Sequence, residues 1–506
     1  MNKLPIGIQT FKDIRESNKI YIDKTKEALN LIENYKYTFL SRPRRFGKSL
    51  FLDTLKNIFE GNKELFKGLY IYDKYDFTKY PVIKIDWAGN FKTLESTKNI
   101  TMRILKENQK RLEIECELND SADVCFRTLI QKAYEKYNQK VVILIDEYDK
   151  PILDNIENTE RALENRDFLR GIYIQLKAND EYIKFAFLTG ITKFSKASIF
   201  SGLNNIIDIS LMPKYGNICG YTQENLKNEF EEYSKDFDLE KVKKWYNGYY
   251  FLKDRIYNPF DILQLFDIGL FKNYWWETGT AYSLVELLKK KKYYIPDLEN
   301  IRMSDELLNT FEVDDIELAP LLYQAGYLTI EKMEQRRIIE YKLKVPNLEV
   351  QMSLNNLFIE YLTNHKTEKL KYQDNLYYAL EDGDLRAFEK ELKALFTSIP
   401  YNNYTKNNIE DYEGYYSSVV YTYLASLGAT LISEDVTNKG RIDLTLIFKD
   451  KIYIIEFKVD SDDALKQIKE KKYYEKYLNE NKEIYLVGIN FEDRNVSNFK
   501  WEKYKI

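Results

Sequence analysis

Apolar and polar positions alternate in two distinct ways along the first part of the chain. Four short runs are apolar almost throughout, as is typical of strands buried on both faces of a parallel sheet: 37–40, 82–87, 141–146 and 183–190. Apolar residues at helical spacing predict helices over 49–61, 92–115, 122–137 and 158–178. This alternation of strands and helices predicts a doubly wound α/β domain with a parallel sheet.

The hydrophobic pattern changes near residue 220. Helical spacing dominates from 224 to 325, and residues 328–346 form a predicted hairpin, comparable to the wing of a winged-helix unit. Residues 347–400 are again mainly helical. This part of the chain therefore predicts a helical, winged-helix-like region without the strand–helix alternation that precedes it.

A third pattern occupies the C-terminal part of the chain. It predicts a helix over 417–428, strands over 430–436, 441–448 and 451–459, a helix over 463–478 and a final strand over 483–491. The sequence thus predicts three domains: an N-terminal α/β domain over 1–215, the middle region over 216–350 and a C-terminal α/β domain over 351–506.

Composition excludes several classes of protein. The 506 residues are 44% hydrophobic and 31% charged, a soluble globular balance, and the net charge of −4 provides no global basic field for nucleic acid. The sequence begins without the apolar run of a signal peptide and has no stretch of membrane length, so we expect a cytoplasmic protein that does not bind a membrane.

Cysteine and histidine further limit the chemistry. Cys116, Cys125 and Cys219 lack CxxC spacing, which predicts no disulfide framework and no thiolate zinc site and fits a reducing cytoplasm. His365 is the only histidine, which excludes a metal site with several histidine ligands. Its neighbours, TNHKTEK, predict a solvated loop rather than a catalytic centre.

The segment SRPRRFGKSL, at 41–50, lies between a predicted strand and a predicted helix. Its second half, Gly47-Lys48-Ser49, has the pattern of a loop whose backbone N–H groups and helix N-terminus hold phosphates. In such a loop the lysine contacts the terminal phosphates, and the hydroxyl that follows it binds Mg²⁺. We therefore predict an ATP and Mg²⁺ site, with Ser49 as a metal ligand.

The first half of this segment departs from the usual loop. Arg42 occupies the position of the expected glycine, and Pro43 has no backbone N–H. Arg44 and Arg45 can add positive charge beside the phosphates or bind another partner, and the predicted nucleotide-binding set includes both of them together with Phe46. The alternative is an ordinary turn between a strand and a helix with surface arginines.

Two further strand ends support a nucleotide site. The strand in VVILIDEYDKP ends at Asp146-Glu147, where an ATPase needs one carboxylate for Mg²⁺ and one to orient the attacking water. Thr189 ends the strand in FLTGITKFS, and we expect it beside the γ-phosphate. The alternative for the acidic pair is a strand followed by an acidic helix start, but the order of all three features favours an ATPase.

The C-terminal hairpin carries a second constellation. Glu456 and Lys458 are two apart on one strand, so their side chains share a face, and folding the hairpin brings Asp443 close to them. Two carboxylates hold Mg²⁺ and a lysine orients water, which is the chemistry of phosphodiester hydrolysis. The alternative is a charged hairpin face with a cross-strand salt bridge, but charges inside so apolar a strand are costly unless they serve a function.

Several stretches together resemble the bacterial AAA-ATPase-like family with an arginine-rich phosphate loop: PIGIQTFKDIRE, YIDKT, RPRRFGKSL, LIDEYDKP and LTGITKFS, with WYNGYYF, YNPFDIL and YWWETGT in the middle region. Within that family the Arg-Pro-Arg-Arg sequence is the normal form of the loop. The resemblance covers nearly the whole chain and implies a P-loop fold that binds nucleotide.

The segment GRIDLTLIFKDKIYIIEFKV resembles the PD-(D/E)XK nuclease superfamily, which has a restriction-endonuclease-like fold. The resemblance implies that Asp443, Glu456 and Lys458 form the catalytic core. It also implies a metal-supporting role for Glu413 and a supporting role for Gln467 on the helix that follows.

Related nucleases place a tyrosine four residues after that glutamine, where this chain has Lys471. Tyr474 shares the helical face of Gln467 and is the predicted replacement. Glu434 matches a strand position of the superfamily or is structural.

We therefore expect a cytoplasmic ATPase joined in one chain to a Mg²⁺-dependent nuclease, with nucleic acid as partner and DNA favoured over RNA. Nucleotide state is expected to gate the nuclease, with a homo-oligomer as one route. The lysine- and tyrosine-rich segment 469–477 and the hairpin residues Arg336 and Arg337 are candidate nucleic-acid contacts, although a solvated helix face explains the first equally well. The alternatives are a nucleotide switch without hydrolysis and a nucleic-acid-binding protein with a silent nuclease fold.

Overall fold

The structure is a computed structural model, and it describes residues 2–116, 120–194, 199, 205–275, 295–299, 301–308, 317–335, 337–400, 413–459 and 463–504. The chain divides into two compact units. The first comprises Met1–Thr278 and Arg302–Glu349, and the second comprises Gly279–Ile301 and Val350–Ile506. The division into three domains at 215 and 350 stays a prediction.

The first unit is built on a parallel sheet of five strands. In chain order these are β1 (Tyr37–Ser41), β2 (Val82–Asp86), β3 (Val141–Asp146), β4 (Ile183–Gly190) and β5 (Ile207–Asp208). Their order in the sheet is β2-β3-β4-β1-β5, and every neighbouring pair is parallel. The four strands predicted from apolar runs are all present, and the short edge strand β5 was not predicted.

Helices cover both faces of this sheet. On one face, Phe51 and Phe59 of the helix Lys48–Phe59 contact Phe187 and Phe185 of β4. Alternate residues of a strand point to opposite faces, and Ala186 and Leu188 accordingly pack with three helices on the other face: Leu94–Leu112, Ala122–Tyr137 and Thr159–Ala178. The predicted doubly wound α/β fold is confirmed.

The remainder of the first unit is mainly helical. Its α-helices are Phe11–Glu16, Thr25–Asn34, Lys150–Leu153, Gln223–Asn228, Glu231–Ser234, Leu239–Tyr246, Pro259–Ile268, Asp305–Leu308 and Leu318–Ala325. Short 3₁₀ turns span Lys63–Phe66, Asp180–Tyr182 and Pro213–Tyr215. A two-stranded hairpin of β6 (Asn247–Tyr250) and β7 (Arg255–Tyr257) interrupts them, and the sequence pattern did not predict it.

The hairpin expected over 328–346 is present as β9 (Thr329–Gln335) and β10 (Ile339–Lys344). A third strand, β8 (Arg302–Ser304), joins the other edge of β10 and completes an antiparallel sheet in the order β8-β10-β9. Arg336 lies outside the described residues. The use of this hairpin as a nucleic-acid-binding wing stays a prediction.

The second unit combines helices with a mixed sheet. Its α-helices are Leu348–Thr363, which begins in the first unit, Lys369–Asp382, Leu385–Ser398, Glu413–Ser426 and Ala464–Lys471, with 3₁₀ turns at Ile295–Glu299 and Tyr473–Tyr477. The strands are β11 (Thr430–Thr437), β12 (Gly440–Phe448), β13 (Lys451–Val459), β14 (Glu483–Glu492) and β15 (Asn495–Tyr504), in that order across the sheet. Only β13 and β14 pair in parallel within this sheet.

Two elements of the second unit differ from the prediction. The helix expected to reach residue 478 ends at Lys471, because Lys472 adopts a left-handed backbone with φ 50° and a 3₁₀ turn follows. The strand β14 is not the last, since β15 pairs with it along the edge of the sheet. Half of the ten residues of β15 are exposed and two are buried, so no continuous apolar run indicates this strand.

The cysteines and the histidine also differ from expectation. Cys116 and Cys125, nine residues apart, form a disulfide, so CxxC spacing was the wrong criterion and the cysteines give no support for a reducing compartment. His365 is buried rather than solvated: the Tyr423 hydroxyl lies 2.7 Å from its Nδ1, and the Ser398 hydroxyl lies 3.0 Å from its Nε2. Among the helices that the structure describes, none has the length and hydropathy that a membrane crossing requires.

Candidate functional sites

The phosphate-loop segment connects β1 to the helix Lys48–Phe59. Gly47, with φ 93°, takes the left-handed backbone that glycine adopts most easily and leads directly into the helix. The Lys48 side chain is buried and its Nζ donates to the carbonyl oxygens of Arg42, at 2.9 Å, and Pro43, at 3.0 Å. Burial lowers the pKa of Lys48, while the carboxylates of Asp146 and Glu147 favour its charged form.

Arg42 is a structural anchor for the loop. It is 1% exposed, and its guanidinium donates to the carbonyl oxygens of Ser41 and Ser210 at 2.8 Å and of Tyr215 at 3.2 Å. The same guanidinium lies 3.8 Å from the centre of the Phe251 ring. The residue in place of the expected glycine therefore fixes the backbone of the loop, and the sequence pattern gave no indication that it would be buried.

The residues between Arg42 and Gly47 pack against aromatic side chains. The Arg45 guanidinium lies 3.6 Å from the centre of the Phe260 ring, and the buried Phe46 ring contacts Tyr249 edge-on at 4.7 Å. Such contacts between a guanidinium and an aromatic face are attractive. These contacts hold the loop in place before any ligand binds.

The acidic residues after β3 meet the end of β4. Asp146 is 2% exposed, and its Oδ1 accepts hydrogen bonds from the Thr189 hydroxyl at 2.5 Å and from the Glu147 amide at 3.1 Å. Burial and the neighbouring Asp146 carboxylate raise the pKa of Glu147. The structure thus brings the three predicted residues together, with Thr189 bound to Asp146.

Asp149, which the sequence analysis did not select, connects the same two strand ends. Its Oδ2 accepts from the backbone amides of Ile191 and Thr192, at 2.9 and 2.6 Å, and from the Thr192 hydroxyl at 2.7 Å. The Tyr148 amide donates to the Thr189 carbonyl at 2.9 Å. The second aspartate of LIDEYDKP was the available indication of this role.

A cavity of about 520 Å³ opens beside the phosphate loop and has the size of a small-molecule site. Of the predicted residues, Arg44, Arg45, Gly47, Lys48, Ser49 and Glu147 line it, whereas Phe46, Asp146 and Thr189 do not. Sequence reasoning missed two other parts of the wall, which are the N-terminal Pro5, Gly7, Ile8 and Gln9 and the later Tyr221, Pro259, Phe260 and Leu263. The N-terminal residues lie in PIGIQTFKDIRE, and Pro259, Phe260 and Leu263 lie in YNPFDIL, two of the stretches that resemble the family.

The carboxylate site of the second unit forms between β12 and β13. Leu444 pairs with Ile455, and the same antiparallel register places Asp443 opposite Glu456, so both side chains are on one face of the sheet. The Phe457 amide donates to Asp443 Oδ2 at 2.8 Å. Folding of the hairpin therefore brings the two predicted carboxylates together.

Glu456 is fully buried and incompletely satisfied. Its Oε2 accepts from Gln467 Nε2 at 2.8 Å, while its Oε1 has no hydrogen-bond partner among the described residues. Burial and the adjacent Asp443 raise the pKa of Glu456 to about 9, and Lys458 opposes this rise. Lys458 Nζ lies 3.9 Å from Glu456 Oε2 and donates to the Phe457 carbonyl at 3.0 Å.

A glycine in the neighbouring strand allows Gln467 to come close to Glu456. Gly488 of β14 pairs with Glu456, and a Cβ at this position would lie 2.4 Å from the backbone nitrogen of Leu465. The missing side chain lets the helix Ala464–Lys471 approach the sheet closely. Gln467 then reaches Glu456 from the second turn of this helix.

The structure brings Tyr473, rather than the predicted Tyr474, to this glutamine. Tyr474 stacks on Tyr504 with ring centres 4.2 Å apart. Burial raises the pKa of the Tyr473 hydroxyl, whereas a hydrogen bond with the Gln467 side chain lowers it. The same hydroxyl would lie only 2.8 Å from a Cβ at Gly440. The early end of the helix at Lys471 changes which tyrosine faces the site.

The two other acidic candidates, Glu413 and Glu434, add less support for a metal site. Glu413 begins the helix Glu413–Ser426, but its side chain lies outside the described part of the structure. Glu434 forms an ion pair with Arg441. No group of three Asp, Glu, His or Cys side chains in the described residues is arranged as a metal site, so the fit rests on Asp443 and Glu456.

This pair fits a hard divalent cation. Mg²⁺ is commonly held by one or two carboxylates while water completes its coordination. The unpaired Oε1 of Glu456 offers a free oxygen ligand, and positive charge would relieve the repulsion between two ionised carboxylates.

The segment 469–477 exposes its lysines but buries two of its three tyrosines. Tyr473 and Tyr477 are buried, Lys469 pairs with Glu502 and Lys476 pairs with Asp435. These tyrosines pack within the domain and do not provide a platform for stacking bases.

Comparison with known proteins places these sites in context. Residues 5–200 match the family model described as Predicted AAA-ATPase, and residues 411–501 match the PD-(D/E)XK nuclease superfamily model. A curated protein of Azotobacter chroococcum mcd 1, "Uncharacterized protein in vnfD 5'region", is 42% identical over 508 residues, which is 98% of each chain. The chain belongs to this AAA-ATPase-like family.

The two matched regions of this AAA-ATPase-like protein contain the two candidate sites. The first includes the phosphate loop and the acidic end of β3, and the second includes Asp443, Glu456, Lys458 and Gln467. They indicate an ATPase and a nuclease domain in one chain.

Solved structures provide a weaker comparison. Cdc6p from Pyrobaculum aerophilum is 13% identical and covers 66% of this AAA-ATPase-like chain and 92% of its own, with a TM-score of 0.28. The ORC2 protein from Aeropyrum pernix is 11% identical, with 65% and 92% coverage and a TM-score of 0.28. Scores this low carry no argument about the site.

Proposed function

We propose that the protein binds ATP with Mg²⁺ in the cavity of the first unit and is a Mg²⁺-dependent nuclease through the second. The observation that carries the nuclease proposal is the pairing of Asp443 with a fully buried Glu456 whose Oε1 has no partner in the described structure. A buried acid pair of this kind costs free energy unless it binds a cation. The two acids also have a cation nearby, because Lys458 lies on the same face of the strand as Glu456.

In the nuclease, Asp443 and Glu456 would hold Mg²⁺. The bound ion would neutralise charge on the phosphate and acidify a water molecule. Gln467 fixes one oxygen of Glu456, and the Phe457 amide fixes one oxygen of Asp443. Lys458, with its side chain 21% exposed, orients the attacking water, and Glu413 is proposed as a further metal ligand.

In the nucleotide site, Lys48 and the backbone amides around Gly47 bind the phosphates, with Arg44 and Arg45 adding positive charge. Ser49 and Asp146 are proposed Mg²⁺ ligands, and Thr189 orients Asp146 through their hydrogen bond. Glu147 orients the attacking water, a role that its raised pKa suits because the carboxylate can accept a proton.

The proposed substrate of the nuclease is nucleic acid, with DNA favoured over RNA by the restriction-type resemblance. We also propose a cytoplasmic location, where ATP and DNA are both present, and gating of the nuclease by nucleotide state, with a homo-oligomer as one means. The motivation for gating is that both sites lie in one chain. Equal cleavage rates with ATP, ADP and no nucleotide would contradict it.

A cleavage panel tests the nuclease. Wild type and Lys458→Ala are incubated with single-stranded, duplex and branched DNA and RNA, with and without Mg²⁺ and nucleotide. We expect Mg²⁺-dependent cleavage by wild type and a loss of about 100-fold or more in Lys458→Ala. The matched control is Lys449→Ala, at the turn of the same hairpin, where the lysine pairs with Glu381.

Cleavage by Lys458→Ala at the wild-type rate would contradict the catalytic role of this lysine. No cleavage of any substrate by wild type would favour a nucleic-acid-binding protein with a silent nuclease fold.

Binding of a labelled ATP analogue tests the nucleotide site. Lys48→Ala is expected to bind about tenfold more weakly or worse, because the lysine makes charge-assisted hydrogen bonds to phosphate. Lys56→Ala, on the same helix and paired with Glu60, is the control and should bind as wild type does. Equal affinity in all three proteins would rule out this site.

Glu147→Gln separates an ATPase from a switch. We expect this variant to keep nucleotide affinity and lose phosphate release, because the amide cannot accept a proton from water. Phosphate release that is the same in wild type and variant would favour a nucleotide switch without hydrolysis.

A further inference from the structure

A second lysine lies in the wall of the nucleotide cavity. Lys150 begins the short helix Lys150–Leu153, directly after the acidic residues that follow β3, and lines the same cavity as Lys48 and Ser49. Its Nζ forms an ion pair with Asp154 Oδ1 at 3.2 Å, and the two side chains are 28% and 27% exposed. Neither the sequence motifs nor the proposed mechanism gives this residue a role.

Lys150 and the phosphate loop line the same cavity from the ends of two different strands. In the sheet, β4 lies between β3 and β1, and the phosphate loop follows β1. The Tyr148 amide bonds to Thr189, and Asp149 accepts hydrogen bonds from the backbone of Ile191 and Thr192, which anchors the segment after β3 on the end of β4. A ligand in the cavity can therefore contact both the loop and Lys150.

The residues near Lys150 indicate which part of a bound nucleotide this lysine would contact. The Lys150 amide donates to the Glu147 carbonyl at 2.9 Å and both residues line the cavity, and Glu147 is the proposed partner of the attacking water. That water must attack the terminal phosphate. Lys48 is bound to the carbonyl oxygens of the loop, so a second cation in the cavity wall can contact the phosphate beside the attacking water.

The ion pair with Asp154 does not prevent this role. Partly exposed pairs four residues apart on a helix contribute little to stability. Exchange of the Asp154 carboxylate for a phosphate oxygen would replace one charge-assisted hydrogen bond by another. The lysine can therefore leave Asp154 without a large loss of free energy.

We propose that Lys150 binds the γ-phosphate of a nucleoside triphosphate and makes the site distinguish triphosphate from diphosphate. This inference rests on the proposed nucleotide site and deepens it. The residue supplies, from within the same chain, positive charge where negative charge increases during hydrolysis.

The test compares affinities of the full-length protein for a non-hydrolysable ATP analogue and for ADP, both with Mg²⁺. We expect wild type to prefer the triphosphate. Lys150→Ala should weaken triphosphate binding about 10- to 100-fold and change ADP binding less than about twofold, because only the γ-phosphate contact is lost. Lys150→Arg should restore part of the preference, and Asp154→Ala, which keeps the cation, should bind both nucleotides at least as well as wild type.

The outcomes separate this assignment from the nucleotide site itself. Equal affinities in wild type and Lys150→Ala, or equal weakening for both nucleotides, would overturn the γ-phosphate contact and leave the site intact. A wild type that binds neither nucleotide would overturn both. Thermal unfolding of each variant shows whether a change in affinity reflects loss of the fold.

Discussion

In each unit a fully buried carboxyl group lies beside a second acid, and the pair in the second unit has the surroundings of a metal site. Asp261 and Glu349 in the first unit are both fully buried, as is Glu456 beside Asp443 in the second. Burial and the neighbouring acid raise the pKa of Asp261 and of Glu456, and burial raises the pKa of Glu349 to about 7. Each pair therefore contains a fully buried acid with a raised pKa.

The difference lies in what else surrounds the acids. Glu349 Oε1 accepts from the backbone amides of Tyr274 and Trp275, at 2.6 and 2.9 Å, and the cation that acts on Asp261 is Arg45, which stacks on Phe260. Glu456 instead has a lysine 3.9 Å away on the same strand face and a glutamine that fixes one oxygen. A buried acid pair can be structural, and the neighbouring lysine and amide are what indicate catalysis.

The largest expected effect concerns cleavage. Glu456→Gln or Asp443→Asn should reduce Mg²⁺-dependent cleavage at least about 10³-fold, because the cation loses a charged ligand. Glu349→Gln should cleave within about twofold of wild type when no nucleotide is present, since Asp261 and Glu349 belong to the first unit and the nuclease site belongs to the second. The measurement is the rate of cleavage of the best substrate in the panel.

Heating the same proteins sharpens this comparison. Mg²⁺ should raise the unfolding midpoint of the wild-type second unit and not that of Glu456→Gln, because an ion stabilises only the state that binds it. A loss of activity in Glu349→Gln as large as in Glu456→Gln would remove the distinction between the pairs.

The next effect is the pH dependence of stability in the first unit. The pKa of Glu349 rises from 4.5 to about 7 on folding, so the folded state binds the proton more tightly than the unfolded state does. The resulting contribution to the free energy of unfolding is fully present below pH 4.5 and is lost as the pH increases through 7. A difference of about 2.5 in pKa corresponds to about 3 kcal/mol. Calorimetry between pH 5 and about 8.5 should show a decreasing unfolding midpoint, which Glu349→Gln should largely flatten.

Asp261 and Arg45 are the other charged groups that act here, and Asp261→Asn should flatten the profile as well. A wild-type midpoint that rises over this range of pH would show that Glu349 is ionised in the folded protein.

The smallest effect distinguishes two adjacent tyrosines. Tyr473→Phe should lower the cleavage rate by about tenfold, because its hydroxyl lies beside Gln467 and supports the orientation of Glu456. Tyr474→Phe should leave the rate unchanged, since this ring stacks on Tyr504 outside the site. The opposite ranking of the two variants would restore the prediction made from helical periodicity.

The features that were predicted best depend only on residues that are close together in the chain. The apolar run at 141–146 predicted a strand buried on both faces, and this strand is β3, whose six residues are all buried. The convergence of Asp443 with Glu456 follows from the length of one hairpin, because a tight turn at Lys449-Asp450 sets the register. Short-range geometry was enough in both cases.

Contacts between distant segments could not be predicted in this way. A charged residue in a loop is normally exposed, but Arg42 is buried because carbonyl oxygens from Ser210 and Tyr215 come close to it in the fold. The N-terminal wall of the cavity and the disulfide between Cys116 and Cys125 likewise depend on packing that no local pattern encodes.

The close contact at Gly488 has a consequence for how this family can lose activity. Any side chain there would push the helix Ala464–Lys471 away from the sheet, although the strand and its hydrogen bonds could persist. A single nucleotide change to an alanine codon would then yield a folded protein with every proposed catalytic residue intact and Gln467 out of reach. Inactive relatives could therefore arise without any visible damage to the nuclease motif.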